Sequence, residues 1–516
     1  MAAETPTIGG PRNLILAAMI FAVSMTFIDQ TIVSIAVPQI QKELGLTSTG
    51  VQWAVNAYLL ALAALFAFGG RLADTVGHKR MVVLGVIVFA VSSAFCGLTP
   101  KGSLAEAWIV VFRVVQGVGG AIMFPAALAI VVQTFELRER GKALALFFGI
   151  AGGLTAIGPI LGGVLTQWTW RAIFWVNIPV ALIALILIAV AKPVTVYRPA
   201  RMDYRGLFLI AAGVALSVFG FQQSSNWGWS NPGIWACIAG GVALIAVFAV
   251  VEGHTPSPLM NVSIFRVRAF LVENLVLGVS MIVFIPVFFF ASEYAQISLG
   301  KSPSEASLVL LYFFLGFVVA AQIGGRMLDR IGAKWPVVLG CTLAAVGFGL
   351  WAGKVTGLDF NSQIWCVILS GAGMGFMLGP SSTDAVNRAS RLSYGEATGI
   401  TQTVRNFAAS LGLAVLGTIL VDKMRTHVTA SLIQQHVPAA QASSEASRIS
   451  ESQGSGTGGV IPHFVRLDFA EATHTVLLCM SGVMAVAAVV AFVGLRHGVQ
   501  IEGVQVESDA SAVGAN

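Results

Sequence analysis

The chain has 516 residues, of which 56% are hydrophobic and 10% are charged. A soluble domain carries about 25% charged residues, so this chain lacks the charge to cover a water-exposed surface, and we expect lipid to be its main solvent. The formal net charge is +6. The five cysteines are scattered without C-x-x-C spacing, which favours small buried side chains over disulfides or a metal site.

Apolar runs long enough to cross a bilayer, about 20 residues each, recur along the whole chain. We expect fourteen membrane-spanning helices, and the run at 207–221 is the shortest of them. An even number of spans places both termini on one side of the membrane. The runs lie at 14–37, 51–70, 81–99, 107–133, 143–165, 172–191, 207–221, 233–251, 269–292, 306–325, 336–353, 363–380, 397–421 and 472–495.

The distribution of Lys and Arg orients these spans. Nineteen of the thirty basic residues fall on the side of the N-terminus, nine fall on the opposite side, and Arg113 and Arg405 lie inside spans. Short cytoplasmic loops concentrate Lys and Arg. The sequence therefore predicts a multi-pass protein of the cell (cytoplasmic) membrane with both termini cytoplasmic, and the same bias explains the positive charge without a nucleic-acid partner.

One stretch of the sequence occurs twice. Residues 69–85 read GGRLADTVGHKRMVVLG and residues 324–340 read GGRMLDRIGAKWPVVLG, with ten of seventeen positions identical at an offset of 255. Each copy joins the second span of a six-span block to its third, so both blocks enter the membrane from the same side. We predict an all-α polytopic protein built from two parallel repeats, a design common among secondary transporters.

The repeat divides the chain into parts. The predicted organisation also includes a long outer loop rich in Ser, Gln, Ala and Gly, expected to be flexible and partly helical at best, and a disordered tail. The parts are an N-terminal six-helix half at 13–191, two inserted helices at 205–251, a C-terminal six-helix half at 268–495 that contains the loop at 422–471, and the tail at 498–516.

With these motifs the chain resembles the major facilitator superfamily, specifically its 14-helix drug:proton antiporter subfamily. The repeated stretch resembles that family's signature between helices 2 and 3, G-x-L-A-D-x-x-G-x-(R/K)-(R/K). The resemblance implies a cytoplasmic gating loop that latches the two halves; a plain positive-inside loop is the alternative, which the aspartate and the spaced glycines disfavour. The gating residues are Gly70, Arg71, Asp74, Gly77, Lys79 and Arg80, with Asp329 in the second copy.

The two copies of the gating loop are unequal. The second copy lacks the Leu-Ala pair before Asp329 and carries Trp335 where the first carries Arg80. We therefore expect Asp74 to form the main latch and Asp329 a weaker counterpart.

The fourth span contains FRVVQGVGGAIMFP, residues 112–125, which resembles the family motif R-x-x-Q-G-x-G-x-A. An arginine several residues inside a span is costly and usually functional. The resemblance implies that Arg113, with Gln116 on the same helix, takes part in proton coupling by tuning a nearby carboxylate. The alternatives are snorkelling of Arg113 to the outer interface and a fixed structural pair.

The first span contains FIDQTIVSIAVPQI, residues 27–40, which resembles the helix-1 motif of the 14-helix group, with Ser34 in place of the usual Asn. Asp29 lies about 25 Å along the helix from Arg12 at 1.5 Å per residue, in the outer half of the membrane. Asp29 is a candidate proton carrier that also fits a cationic substrate; the alternative is a structural carboxylate paired with Arg113 or with the backbone.

The fifth span contains GIAGGLTAIGPILGGVL, residues 149–165, which resembles the antiporter motif G-x-x-x-G-P-x-x-G-G of helix 5. Small residues permit close helix packing and an internal proline kinks a helix. The resemblance implies export rather than import, and a generic packing face is the alternative. The antiporter residues are Gly158, Pro159, Gly162 and Gly163.

Four charged residues are predicted well inside spans, namely Asp29, Arg113, Glu273 and Arg405. Glu273 is either an interfacial partner of Arg268 or a second proton or substrate group. Arg405 is expected to anchor a buried polar network through a carboxylate, Asp29 or Glu273. The predicted substrate cavity contains Asp29, Trp53, Asn56, Tyr58, Gln116 and Arg405.

The resemblance implies proton-coupled efflux of small amphipathic compounds, lipophilic cations such as drugs, dyes and antibiotics above all, by a monomer. The alternative on the same fold is an exporter of one metabolite, lipid or siderophore. No G-x-x-x-x-G-K-(S/T) motif is present, so we expect no ATP-driven motor, and no other cofactor or metal is predicted. A channel or receptor is disfavoured by the parallel repeats, and an enzyme by the lack of a catalytic constellation.

Overall fold

A computed structural model describes residues 11–135, 137–193, 202–388, 394–452, 461–496 and 498. These residues form helices and no strand, which confirms the predicted all-α class. Of the tail predicted at 498–516, residues 499–516 lie outside the described residues. The helices are α1 (Arg12–Leu44), α2 (Ser48–Val76), α3 (His78–Gly97), α4 (Ala105–Thr134), α5 (Leu137–Trp168), α6 (Ala172–Ala191), α7 (Tyr204–Trp227), α8 (Pro232–His254), α9 (Arg268–Ile297), α10 (Pro303–Ile331), α11 (Lys334–Val355), α12 (Ile364–Arg388), α13 (Tyr394–Gln434), α14 (Ala439–Ser452) and α15 (His463–Gly494).

Thirteen helices of the described part are long and apolar enough to cross a membrane. The helix α5, with 32 residues, covers the remaining predicted run at 143–165. Many helices are longer than the apolar runs that predicted them; α1 has 33 residues and α13 has 41. We name the two ends of the bundle after the turns that lie there. The Gly45 end carries the turn between α1 and α2, and the Gly77 end carries the turn between α2 and α3.

The repeated stretch forms the same turn in both copies. The amide of Gly77 donates to the carbonyl of Ala73 at 2.9 Å with φ 108°, and the amide of Gly332 donates to the carbonyl of Leu328 at 3.0 Å with φ 83°. Positive φ is tolerated by glycine because it has no Cβ. Both pairs are related by the offset of 255 found in the sequence.

Helix packing repeats with the same offset. Gly69 on α2 lies against the carbonyl of Ala121 on α4, and Gly324 on α10 lies against the carbonyl of Phe376 on α12, where an added Cβ would be 2.8 Å from the oxygen. Small residues let two helix backbones approach closely. The α2–α4 crossing and the α10–α12 crossing are thus equivalent, as expected of two copies of one unit.

The predicted flexible loop at 422–471 is wrong for most of its described residues. The helix α13 continues to Gln434, α14 occupies Ala439–Ser452, and α15 begins at His463. Ala442 and Ala446, one helical turn apart, are fully buried. Two alanines among polar residues do not stand out in the composition of this segment. The packing of α14 against the bundle could therefore not be predicted from the sequence.

The helix α14 also reaches the other half of the molecule. Its last carbonyls lack partners within the helix, as at any helix C-terminus. The Ser48 hydroxyl donates to the carbonyls of Ser450 at 2.8 Å and Glu451 at 2.9 Å, and the Gln41 amide donates to the Glu451 carbonyl at 3.1 Å. Residues of α1 and α2 therefore hold α14 across the Gly45 end.

Candidate functional site

Asp29 of α1, Arg113 of α4 and Gln116 of α4 form a closed polar cluster inside the N-terminal half. Arg113 Nη1 lies 2.5 Å from Asp29 Oδ2, and Gln116 Nε2 donates to Asp29 Oδ1 at 2.9 Å. Arg113 Nη1 also donates to Gln116 Oε1 at 2.8 Å. Both carboxylate oxygens thus have a donor, as a buried charge requires.

The α2 helix also contacts Arg113. Arg113 Nε donates to the Ala54 carbonyl at 2.8 Å, and the guanidinium carbon lies 4.5 Å from the centre of the Tyr58 ring. Asp29 is 0% exposed and Arg113 is 1% exposed, so Arg113 does not reach the interface. The cluster joins α1, α2 and α4 and is shielded from solvent in this conformation.

The α5 helix packs against α1 within one turn of this cluster. The Thr31 hydroxyl donates to the Thr155 carbonyl at 2.9 Å. A Cβ at Gly158 would be 3.0 Å from the Ile28 carbonyl and closer still to Thr31 Oγ1, and a Cβ at Gly162 would be 2.9 Å from the Ile32 carbonyl. These glycines are therefore required for the close crossing of α5 and α1.

Beyond this crossing, α5 meets the C-terminal half. A Cβ at Gly163 would be 2.8 Å from Ser307 Oγ and 3.0 Å from Ser304 Cα, both on α10. The Gln167 amide donates to the Ser304 hydroxyl, and the Gln296 amide of α9 donates to the Ile35 carbonyl of α1 at 2.9 Å. The two halves are therefore joined by polar contacts at the Gly45 end.

Asn56 of α2 connects three parts of the molecule. Its Nδ2 donates to Gln222 Oε1 of α7 at 2.6 Å and to the Ser410 carbonyl of α13 at 3.2 Å, and the Ser410 hydroxyl donates back to Asn56 Oδ1 at 2.5 Å. Trp53, one turn away, packs on Phe219 of α7 with ring centres 6.0 Å apart. Both side chains thus face the inserted helices, and Gln222 and Ser410 are partners that the motifs gave no signal for.

Glu273 of α9 lies in the interior of the C-terminal half. It is fully buried and accepts a hydrogen bond from the Ser381 hydroxyl of α12. Arg268, the partner considered from the sequence, donates instead to the Val493 carbonyl at 3.5 Å.

Arg405 does not form the predicted network with Asp29 or Glu273. Its side chain is partly buried, and among the described residues it makes no hydrogen bond or ion pair. Five of the six predicted cavity residues therefore make hydrogen bonds or ring contacts with named partners. Arg405, the sixth, makes none among the described residues.

Among the buried carboxylates that the sequence motifs did not indicate, two lie in α9 and α12. Glu293 of α9 is 0% exposed and Asp384 of α12 is 3% exposed. Both lie beyond the apolar runs that defined the predicted spans, because α9 extends to Ile297 and α12 to Arg388. They could have been found only by predicting that these helices continue past their apolar runs, which apolar composition alone does not indicate.

The gating loop lies at the Gly77 end. His78 Nε2 lies 3.1 Å from Asp74 Oδ1, and the His78 side chain is 3% exposed against 40% for Asp74. Gly70 approaches Pro125 of α4, with an added Cβ 3.5 Å from the proline Cβ. Asp74 thus pairs within its own loop here, while Asp329 in the second copy is exposed.

Among the residues that the structure describes, no group of three or more His, Cys, Asp or Glu side chains is placed to hold a metal ion.

A family model described as Major Facilitator Superfamily matches residues 19–413. The tetracenomycin C resistance and export protein of Streptomyces glaucescens is 34% identical, covering 82% of this chain and 79% of that protein. The puromycin resistance protein of Streptomyces alboniger is 32% identical over 82% and 83% of the two chains. The multidrug transporter protein MdtP of Bacillus subtilis is 30% identical over 85% and 81%.

Solved structures share the fold. A bacterial homolog of the human lysosomal transporter Spinster, in an inward-facing and unoccupied conformation, superposes with a TM-score of 0.61 at 16% identity and covers 95% of this chain and 98% of that chain. The xylose transporter XylE of E. coli gives a TM-score of 0.59 at 12% identity, covering 95% and 99%.

Proposed function

Because the chain belongs to the major facilitator superfamily, we propose that it exports small amphipathic compounds in exchange for protons, by alternating access. Relatives named for antibiotic resistance, export and multidrug transport support drug efflux as the general role. The observation that carries the coupling proposal is the cluster of Asp29, Arg113 and Gln116, since it holds a protonatable carboxyl against an arginine inside the membrane.

Protonation of Asp29 changes what holds α1 to α4. The neutral carboxyl loses its charge attraction to Arg113, while Arg113 keeps the Ala54 carbonyl and Gln116 as acceptors. A charge-assisted hydrogen bond is roughly twice as strong as a neutral one, so the protonated cluster holds the two helices less tightly. Proton binding thereby favours one access state over the other.

The contacts of α1 offer a route from this cluster to the interface between the halves. Thr31, two residues after Asp29, bonds to α5 through the Thr155 carbonyl. The same α5 meets Ser307 of α10 at Gly163. A displacement of α1 is therefore passed through α5 to the opposite half, because the glycine crossings leave no free space to absorb it.

The sidedness follows the distribution of basic residues. We place the Gly77 end and both termini in the cytoplasm and the Gly45 end outside, in the cell's cytoplasmic membrane, because Lys and Arg concentrate at the Gly77 end. In this arrangement protons enter and cargo leaves, driven by the proton gradient without ATP or another cofactor, and one chain suffices.

The test is transport by the purified full chain in proteoliposomes. We expect accumulation of fluorescent amphipathic dyes to depend on an imposed pH gradient and to be lost in Asp29→Asn. Transport that continues unchanged after the gradient is collapsed would contradict proton coupling, whatever the dye.

Export of one metabolite, lipid or siderophore is the second function on this fold. Competition profiles separate the two, because a drug exporter is inhibited by many unrelated amphipathic compounds and a dedicated exporter by close analogues of one.

A further inference from the structure

Arg405 lies near the middle of the membrane. Its neighbours on α13, Val404 and Ala408, contact Gly278 of α9, with an added Cβ at Gly278 3.2 Å and 4.0 Å from their side chains. Gly278 is ten residues from the start of α9 at Arg268, about 15 Å at 1.5 Å per residue. That is half of a hydrocarbon core about 30 Å thick.

The face of α13 that bears Arg405 points into the bundle. Residues four apart lie on the same side of a helix, and both such neighbours of Arg405 are buried, Thr401 at 3% exposure and Ala409 at 1%. Arg405 itself keeps accessible surface. The side of α13 that bears Arg405 therefore lies against the interior of the bundle rather than against lipid.

The carboxylates buried within α1, α9 and α12 have almost no accessible surface to offer a ligand. Asp29, Glu273 and Glu293 are each 0% exposed and Asp384 is 3% exposed, and Asp29 is already paired with Arg113. Among the described residues within the spans, the accessible charge in the middle of the bundle is thus positive. This differs from the expectation of a negatively charged site for lipophilic cations.

We propose that Arg405 binds an anionic group of the exported compound, a carboxylate or an ionised phenol, so that the cargo is an amphipathic organic anion. The planar guanidinium presents five donors in a fork that matches a carboxylate. The apolar part of the cargo lies along the surrounding helices. This inference rests on the proposed export function and specifies its substrate class.

The test is binding of two dyes to the purified full chain in detergent, followed by fluorescence anisotropy. Fluorescein is the anionic probe and ethidium the cationic probe. We expect the unmodified protein to bind fluorescein, Arg405→Gln to weaken that binding at least tenfold, and Arg405→Lys to weaken it less. Ethidium binding is not reduced by either change.

The matched control is Lys101→Gln, since Lys101 is an exposed cation 3.4 Å from Glu43 at the Gly45 end. It removes the same charge and leaves fluorescein binding unchanged. The inference is overturned when the unmodified protein fails to bind fluorescein, or when Arg405→Gln binds it as well as the unmodified protein does.

A second measurement needs no variant and so does not depend on the folding of Arg405→Gln. Naphthalene-2-carboxylate and naphthalene-2-carboxamide share one shape and differ in charge. We expect the carboxylate to displace fluorescein at a concentration at least tenfold lower, and equal displacement would contradict the inference. Failure here leaves proton-coupled export standing, whereas gradient-independent transport would remove the coupling and leave the binding result intact.

Discussion

Asp29 Oδ2 lies 2.5 Å from Arg113 Nη1 at a position where neither side chain reaches solvent. Removing two charges from water costs several kcal/mol per ion, and the pair offsets this only with good geometry and further hydrogen bonds. Gln116 and the Ala54 carbonyl provide those bonds. The ion pair is therefore stable only when both charges are present. Loss of one charge leaves the desolvation cost of the other charge uncompensated.

Asp29→Asn removes the negative charge and keeps the shape of the side chain. Breaking a buried pair in this way costs about 3–5 kcal/mol, because the Arg113 charge is left uncompensated. We expect a lower unfolding temperature and loss of gradient-driven transport in proteoliposomes. Asp359→Asn is the control, since Asp359 is exposed in the turn after α11, and it leaves both properties unchanged.

Gly158→Ala places a methyl group against Thr31 Oγ1 and the Ile28 carbonyl. Overpacking costs typically about 1–3 kcal/mol, so we expect α5 and α1 to separate, with lower thermal stability and slower transport. Gly153→Ala is the control on the same helix, since nothing lies within 4 Å of a Cβ there. It should be neutral or stabilise by up to about 1 kcal/mol.

The clash at Gly158 has a designed rescue. Thr31→Ala deletes the Oγ1 atom that an added Cβ meets first, so the double variant with Gly158→Ala should recover part of the lost stability. If the effects of Gly158→Ala and Thr31→Ala on the free energy of unfolding simply add, the two side chains are not in contact.

Cysteines at Ser48 and Ser450 test the contact of α14 with the N-terminal half. The Ser48 hydroxyl bonds to the Ser450 carbonyl at 2.8 Å, so oxidation of Ser48→Cys/Ser450→Cys, in a background with the native cysteines replaced, should cross-link the halves. We expect transport to stop under oxidant and to return under reductant, because the Gly45 end is then held closed.

A second cysteine pair separates cross-linking of the halves from cross-linking in general. Ser431 Oγ of α13 donates to Asp468 Oδ1 of α15 at 2.9 Å, within the C-terminal half. Oxidised Ser431→Cys/Asp468→Cys should continue to transport. Unimpaired transport by the oxidised Ser48–Ser450 pair would mean that the Gly45 end does not open during the cycle.

The two copies of the gating loop predict an unequal response. Asp74 pairs with His78, whereas Asp329 is exposed. We expect Asp74→Asn to reduce the transport rate several-fold and Asp329→Asn to have little effect, measured at equal protein per liposome. Equal losses in the two variants would contradict the assignment of the first copy as the main latch.

The sequence predicted the class, the repeat and the pairing candidates well, because each depends on local chemistry. Long apolar runs indicate helices that cross the membrane. Gly77 and Gly332 indicate a turn whose positive φ few other residues adopt. Asp29 and Arg113 stand out in the sequence because a charge within a span is costly, and a pair of the two is one of the alternatives that the sequence predicts for Asp29.

Other features depend on contacts between distant parts of the chain. The packing of α14 rests on two alanines and on Ser48 of another helix. The Glu273 contact with Ser381 and the accessible surface of Arg405 depend on how helices face one another, and the order of residues along one helix does not determine that.

Asn56 lies at the junction of α2, α7 and α13, bonded to Gln222 and Ser410. A rigid body that rotates moves least near its axis, so hydrogen bonds survive a rocking motion best where they sit at the pivot. We expect the Asn56 junction to lie near that axis, because its hydrogen bonds join α2 of the N-terminal half to α13 of the C-terminal half. We then expect α7, bonded to Asn56 through Gln222, to keep its contact with the bundle while the two halves rock.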